Sequence, residues 1–456
     1  MTKRHAIAPH RAPRWAACWL AALALMLALP AQAITIQEVK SAGVTAWLVE
    51  DHSLPIVSLA YLFRGGGALD PADKVGLATI TTDLLDEGAG DLDSEAFHRQ
   101  VEDLAISLSF SSTQDGVAGA VRSVSGNLHP ACELLRLALT APRFEEPAVS
   151  RVRNQLIASV ARDERQPNFI ADRLWRESEF GKHPYARSRR GSAASLGRIT
   201  AEDMHQFVQR RFARDVLVVA VVGDITQDAL KELLARTFGG LPEHAADASV
   251  PDVAYQTPDA LTLARLPIPQ SVVAFGEPGI KRDDPDWYAA SLVNQILGGG
   301  SLTSRLAQEV REKRGLAYSV FSALEPMEHG AMIYGGVATE NARVAQSIDI
   351  IRAEWKRMHD EGPTAKELAD AKTYLTGSFP LSLDSTGAIA TTLLVVMRDK
   401  LGIDYLDRRN GIIDGVSLDD AKRVARRLFD PDALSFVVVG SPTALPGARE
   451  VSASGG

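Results

Sequence analysis

Arg311 and Tyr318, two side chains able to grip a carbonyl oxygen, stand seven residues apart in the run R-E-K-R-G-L-A-Y. A guanidinium and a phenol both donate hydrogen bonds, and both suit a peptide carbonyl whose oxygen gains charge during attack. Their surroundings predict how they meet. Leu302, Leu306 and Val310 recur at i, i+4 and i+8, the apolar stripe of one helix. Gly315 is placed as its C-cap and 316–321 is strand-like, so Arg311 on a last turn and Tyr318 on the next strand converge. Taken alone, such a pair has a plainer reading as surface ion pairing and core packing. Glu309 and Glu312 fit as partners that orient the neighbouring basic side chains.

The rest of a hydrolytic site does not assemble from spacing. After residue 33 the histidines are His52, His98, His129, His183, His205, His244, His329 and His359, and none falls in H-E-x-x-H or H-x-x-E-H. His98 and Glu102 have the spacing of a solvated helical ion pair. Gly298-Gly299-Gly300 lacks the G-K-[ST] ending of a phosphate loop, which excludes that nucleotide motif. Ser125 and Ser441 have no His/Asp framework that spacing alone connects to them.

The elements that position the pair are written twice. Residues 199–224 and 416–441 align without a gap at an offset of 217, each with a hydroxyl N-cap (Thr200, Ser417) and acids at the helix start. Each helix gives way to an apolar strand ending in Gly223 or Gly440, with Phe212 and Phe429 matched between them. Each half also opens strand, loop, helix: 55–63 then 76–85, and 270–275 then 287–297. Between these ends come a hairpin (106–112, 116–124) and a helix over 149–162. The order predicts an α+β fold of two homologous domains, each an antiparallel sheet packed with helices. The expected bounds are 34–245 and 262–446, joined by a proline-bearing linker over 246–261 and followed by a disordered tail, 447–456.

The segment SRLAQEVREKRGLAYSV resembles the substrate-binding motif of the pitrilysin/insulinase zinc peptidases, the inverzincins. The resemblance spans about 34–446 and implies that Arg311 and Tyr318 hold the scissile carbonyl opposite the metal. It also implies a zinc motif, H-x-x-E-H, after G-L-A in the first half, with a third ligand on a later helix. Here the frame after Gly76-Leu77-Ala78 reads Thr79-Ile80-Thr81-Thr82-Asp83, and Ala158 or Ser159 falls at the third position. One carboxylate stands for three ligands and a base. This chain is therefore expected to bind no metal, and the vacated positions are Thr79, Thr82, Asp83 and Ala158.

Composition bounds the setting. Residues 1–33 read as a secretory signal: basic Lys3, Arg4, Arg11 and Arg14, an apolar run over 15–29, and Ala31-Gln32-Ala33 as the cleavage pattern. Removing these four positive charges and no acids takes the formal net charge from -8 to -12, which argues against nucleic acid as a partner. No membrane anchor is expected after cleavage. Cys132 would be the one remaining cysteine, so no internal disulfide is expected. Split members of the resembled family place zinc on one polypeptide and the Arg/Tyr pair on another. The expectation is a periplasmic, non-catalytic, substrate-binding subunit whose H-x-x-E-H partner carries zinc, inactive alone; the alternative is a binding or assembly protein that holds extended peptides without cleaving them.

Overall fold

In the computed structural model, residues 34–257, 259–299 and 302–453 are described. The secretory-signal reading of 1–33 lies outside them. Two six-stranded sheets dominate. The first holds β1 (Gln37–Ser41), β2 (Val44–Glu50), β3 (Ile56–Arg64), β6 (Ser107–Ser112), β7 (Gly116–Val124) and β8 (Leu217–Gly223), in the order β1-β2-β8-β3-β7-β6. A two-stranded pair, β4 (Gly88–Ala89) and β5 (Leu92–Asp93), lies apart. The second sheet holds β9 (Leu261–Arg265), β10 (Gln270–Pro278), β11 (Ala317–Met327), β12 (Gly330–Glu340), β13 (Ser435–Gly440) and β14 (Arg449–Val451), in the order β11-β12-β10-β13-β9-β14.

The repeat is visible in the topology. The run β2-β8-β3-β7-β6 corresponds to β9-β13-β10-β12-β11, strand for strand. Neither sheet is wholly antiparallel as expected, because β2–β8 and β9–β13 pair in parallel. Each such pair encloses the rest of its half, so its strands are joined by a long crossover and not by a hairpin. The matched helices Ala201–Arg211 and Leu418–Leu428 begin with reciprocal capping boxes, Thr200 with Asp203 and Ser417 with Asp420. Phe212 and Phe429 are fully buried just beyond their ends.

The outermost strands differ between the halves. β1 pairs antiparallel with β2, whereas β14 comes from the far end of the chain and pairs parallel with β9. Part of the expected disordered tail is thus a strand, fastened by ion pairs from Arg449 to Asp259 (2.6 Å) and from Glu450 to Arg265 (2.6 Å). The linker is also tied down: Val253 N donates to His329 O at 2.7 Å and Gln256 N to Glu179 O at 2.9 Å.

Burial explains why the strands read as apolar runs. Val273, Phe275, Phe436 and Val438 point into the second half's own core, while Ala274, Val437 and Val439 face a third core. A sheet covered on both faces leaves no polar side to its strands. The cover on that second face comes from the other half. The helix Pro167–Phe180 lies across β10 and β13, and in return Thr386–Arg398 lies across β3 and β8. Trp175, fully buried, donates its indole N–H to Ser435 Oγ at 2.9 Å, and Ser435 Oγ donates to Glu179 Oε1 at 2.6 Å. Gly276 is required beneath it, since a Cβ there would meet Trp175 at 2.7 Å and Ile333 O at 2.1 Å. Helix exchange makes residues 36–453 one packed body. Among the described residues, no helix is long and apolar enough to cross a membrane.

Candidate functional site

The segment carrying Arg311 folds differently from the regular helix its apolar spacing predicts. Leu306 and Val310 are fully buried, but Leu302 is 53% exposed. The turn Ala307–Glu312 is wound as a π-helix, with Lys313 N donating to Gln308 O at 3.0 Å. One wider turn rotates the residues before it away from the stripe, and such turns often mark functional positions. Gly315 takes the left-handed conformation (φ 58°) and its N–H returns to Arg311 O at 2.8 Å, which closes the turn as the glycine predicted.

Tyr318 follows on β11, the outer strand of the second sheet. The register against β12 jumps between Ala317 and Val320, a bulge that places Tyr318 in its extra turn of chain. The bulge turns the ring outward: Tyr318 is 83% exposed, and the guanidinium carbon of Arg311 lies 4.9 Å from its centroid. The nearby charges are sorted so that Arg311 stays available. Lys313 and Arg314 both close onto Glu309, holding its carboxyl below the usual range, while among the described residues Arg311 forms its one ion pair with its neighbour Glu312 at 3.2 Å. The arrangement presents two donors beside the free edge of a sheet.

The frame that would hold a metal is folded but chemically unsuitable. Asp70 accepts from Gly76 N (2.9 Å) and Ala78 N (3.1 Å), starting the helix Leu77–Thr82, which ends three residues before the apolar run does. Thr79 Oγ1 donates to Arg189 O at 2.8 Å and lies 3.2 Å from Ser112 Oγ; Thr82 Oγ1 donates back to Thr79 O at 2.8 Å. Both hydroxyls serve the backbone. Asp83 stands at the mouth of a cleft of about 520 Å³, where desolvation and the nearby Asp86 raise its pKa. Of the two candidates for the third position, Ser159 lines that cleft, whereas Ala158, one residue round its helix, is exposed. Two alcohols, a serine and one carboxylate do not fit zinc, which takes imidazole, thiolate or several carboxylates.

Two further groupings join residues that no motif spacing connects. Asp224 accepts from Ser125 Oγ at 2.5 Å and sits 2.7 Å from His52 Nδ1. The carboxylate stands between serine and histidine, so the histidine is not placed to deprotonate the serine as a hydrolase requires. Asp86, Glu87 and His98 each bring one ligand atom within 4.8 Å of the others. Glu87 is already held by Arg151 and by Ser94 Oγ at 2.5 Å, and His98 faces this group and Ser94 O, not Glu102 as its spacing predicts.

Duplicated sheets, an outward Arg–Tyr pair and a metal frame without its donors define a class: a peptidase-fold protein with a non-catalytic role. The family model described as "Peptidase M16 inactive domain" matches residues 198–375. A protein of Helicobacter pylori named "Non-peptidase homolog YmxG" is 27% identical over 423 residues, covering 92% of this chain and 97% of its own length. The "Uncharacterized zinc protease YmxG" of Bacillus subtilis is 28% identical over 302 residues, covering 64% of this chain and 71% of its own. The crystal structure of a peptidase M16 inactive domain from Pseudomonas fluorescens superposes with a TM-score of 0.84 at 29% identity, over 92% of this chain and all of that one. Over nearly its whole length the chain is thus similar to members of peptidase family M16, the pitrilysin/insulinase peptidases, and its own sequence lacks an H-x-x-E-H motif.

Proposed function

We propose that this chain is the substrate-binding, non-catalytic subunit of a periplasmic heterodimeric zinc endopeptidase. A homologous partner carries H-x-x-E-H and the zinc; the chain itself holds neither. Arg311 and Tyr318 bind the carbonyl of the scissile amide across the chamber from the partner's metal. The partner's glutamate activates water, and the peptide adds as a strand along an open sheet edge. The observation that carries this reading is the stacked, outward-facing Arg311–Tyr318 pair, 4.9 Å from guanidinium carbon to ring centroid, at the rim of edge strand β11. Nothing in its own core asks for Tyr318 to be there.

The chain's residues do three things in this scheme. The bulge at Tyr318 aims the phenol, the Glu309 cluster keeps competing cations occupied, and the Arg311 guanidinium offers N–H donors to the carbonyl. The deciding experiment incubates an extended peptide with the purified chain, with an H-x-x-E-H homologue, and with both. Cleavage only by the mixture is expected. Cleavage by the isolated chain with bound zinc overturns the reading; binding without cleavage in every mixture favours the peptide-holding alternative.

A further inference from the structure

At the junction of the halves lies a cavity of about 1020 Å³, at the upper end of the range for small-ligand sites. Ten lysines and arginines and seven acids line it, an excess of positive charge inside a chain whose formal net charge is -8. Most of these cations are spent. Arg176 pairs with Asp172 and Glu325, Arg190 with Asp163, Lys281 with Asp252, and Arg189 Nη1 donates to Ser112 O at 3.1 Å. Two are not: among the described residues, the side chains of Arg187 and Lys400 make no ion pair or hydrogen bond. Lys400 also takes a left-handed conformation (φ 54°) just after the helix Thr386–Arg398, a position where glycine is the ordinary choice. A lysine held there against its backbone preference, and left unpaired at a cavity wall, points to an anion.

The path into the cavity identifies the anion's form. β6 and β11 are each one of the two outer strands of their sheets, and both end at this cavity. Thr113, Gln114 and Asp115 follow β6, and Glu325 to Glu328 close β11; the two hairpin tips meet where Glu328 N donates to Asp115 Oδ2 at 3.1 Å. Tyr318 and Met327 stand near opposite ends of β11, about 30 Å apart at the rise of a strand. The interspersed carboxylates of the wall repel a dense polyanion, while spaced negative charges on an extended chain can meet Arg187 and Lys400 separately. Leu62, Phe169 and Met327 add apolar contact for such a chain.

We infer that the cavity anchors an acidic stretch of an extended peptide, about nine residues along β11 from the amide held at Tyr318. The inference rests on the proposed substrate-binding role but is tested without the partner and without cleavage, so either can fail alone. Fluorescence anisotropy on the purified chain compares a labelled extended peptide carrying glutamates spaced along its length with the same peptide carrying glutamines at those positions. The glutamate peptide is expected to bind about tenfold more tightly at low ionic strength, the difference shrinking in high salt. Arg187→Ser with Lys400→Ser abolishes the preference while the thermal melt stays in place. Arg311→Ala weakens both peptides and keeps their ratio. Equal affinity for the two peptides, or a preference that survives in the folded double variant, overturns the inference.

Discussion

The Arg311 guanidinium covers the face of the Tyr318 ring, 4.9 Å from its centroid, while the ring itself is 83% exposed. Cation and ring fix one another's direction, and each keeps N–H or O–H groups free for a third party. A stacked pair that packs nothing is spared the usual cost of truncation, so its removal should be read in function and not in stability. With the proposed H-x-x-E-H partner added, Arg311→Ala or Tyr318→Phe is expected to lower turnover by about 10²–10³. The chain's melting temperature stays within experimental error. A fall in stability with unchanged turnover would return the pair to the role of surface packing.

Trp175→Ala tests the helix exchange. The indole is fully buried between the halves and bonded to Ser435, so truncation is expected to cost about 3–5 kcal/mol. Because the Pro167–Phe180 helix serves the other half's sheet, denaturant unfolding should remain one transition, with its midpoint lowered. Two separate transitions would show that the halves stand alone.

Glu179 makes stability depend on pH. Burial pushes its carboxyl up to about 7, although Ser435 donates to it, and Asp70 is raised to about 7 for the same cause. An unfolded carboxyl titrates near ~4, so between about pH 4 and 7 the folded chain holds more protons than the unfolded one. This contribution is complete at the acid end and is lost as pH rises through that window. Melting temperature should decline across it, and the decline should be shallower in Glu179→Gln. An unchanged slope would mean that the carboxylate ionises at little cost.

Chelation should leave the isolated chain untouched. With Thr79 and Thr82 hydroxyls committed to backbone carbonyls, zinc has no adequate donor set at the vacated frame. Thermal melts with excess chelator, with zinc, and with neither are expected to coincide. A zinc-dependent rise in melting temperature, lost in Asp83→Ala, would establish a site there.

How much of this was legible depended on how local the cause was. Thr200 and Ser417 announce their helices because a cap and its acid lie within one turn, and the repeat follows from reading both. Gly315 announces its turn in the same way. Leu302 misled: the stripe it continues is broken by the π-turn Ala307–Glu312, which apolar spacing does not mark. The helix over 76–85 stops at Thr82 and tightens into turns, Leu84 N donating to Thr81 O at 3.2 Å, and hydrophobicity alone does not mark that stop. Ser159 and Ala158 were separable only by the rotation of their helix. The pairing of β14 with β9, and the meeting of Asp115 with Glu328, join residues too remote for any spacing rule.

The exchanged helices also set a timetable. When synthesis has passed Gly223, every strand of the first sheet exists, yet the cover for β3 and β8 arrives only with Thr386–Arg398. Until then an apolar sheet face waits bare, which favours aggregation. A chain of this design gains from being kept unfolded until its whole length has been delivered.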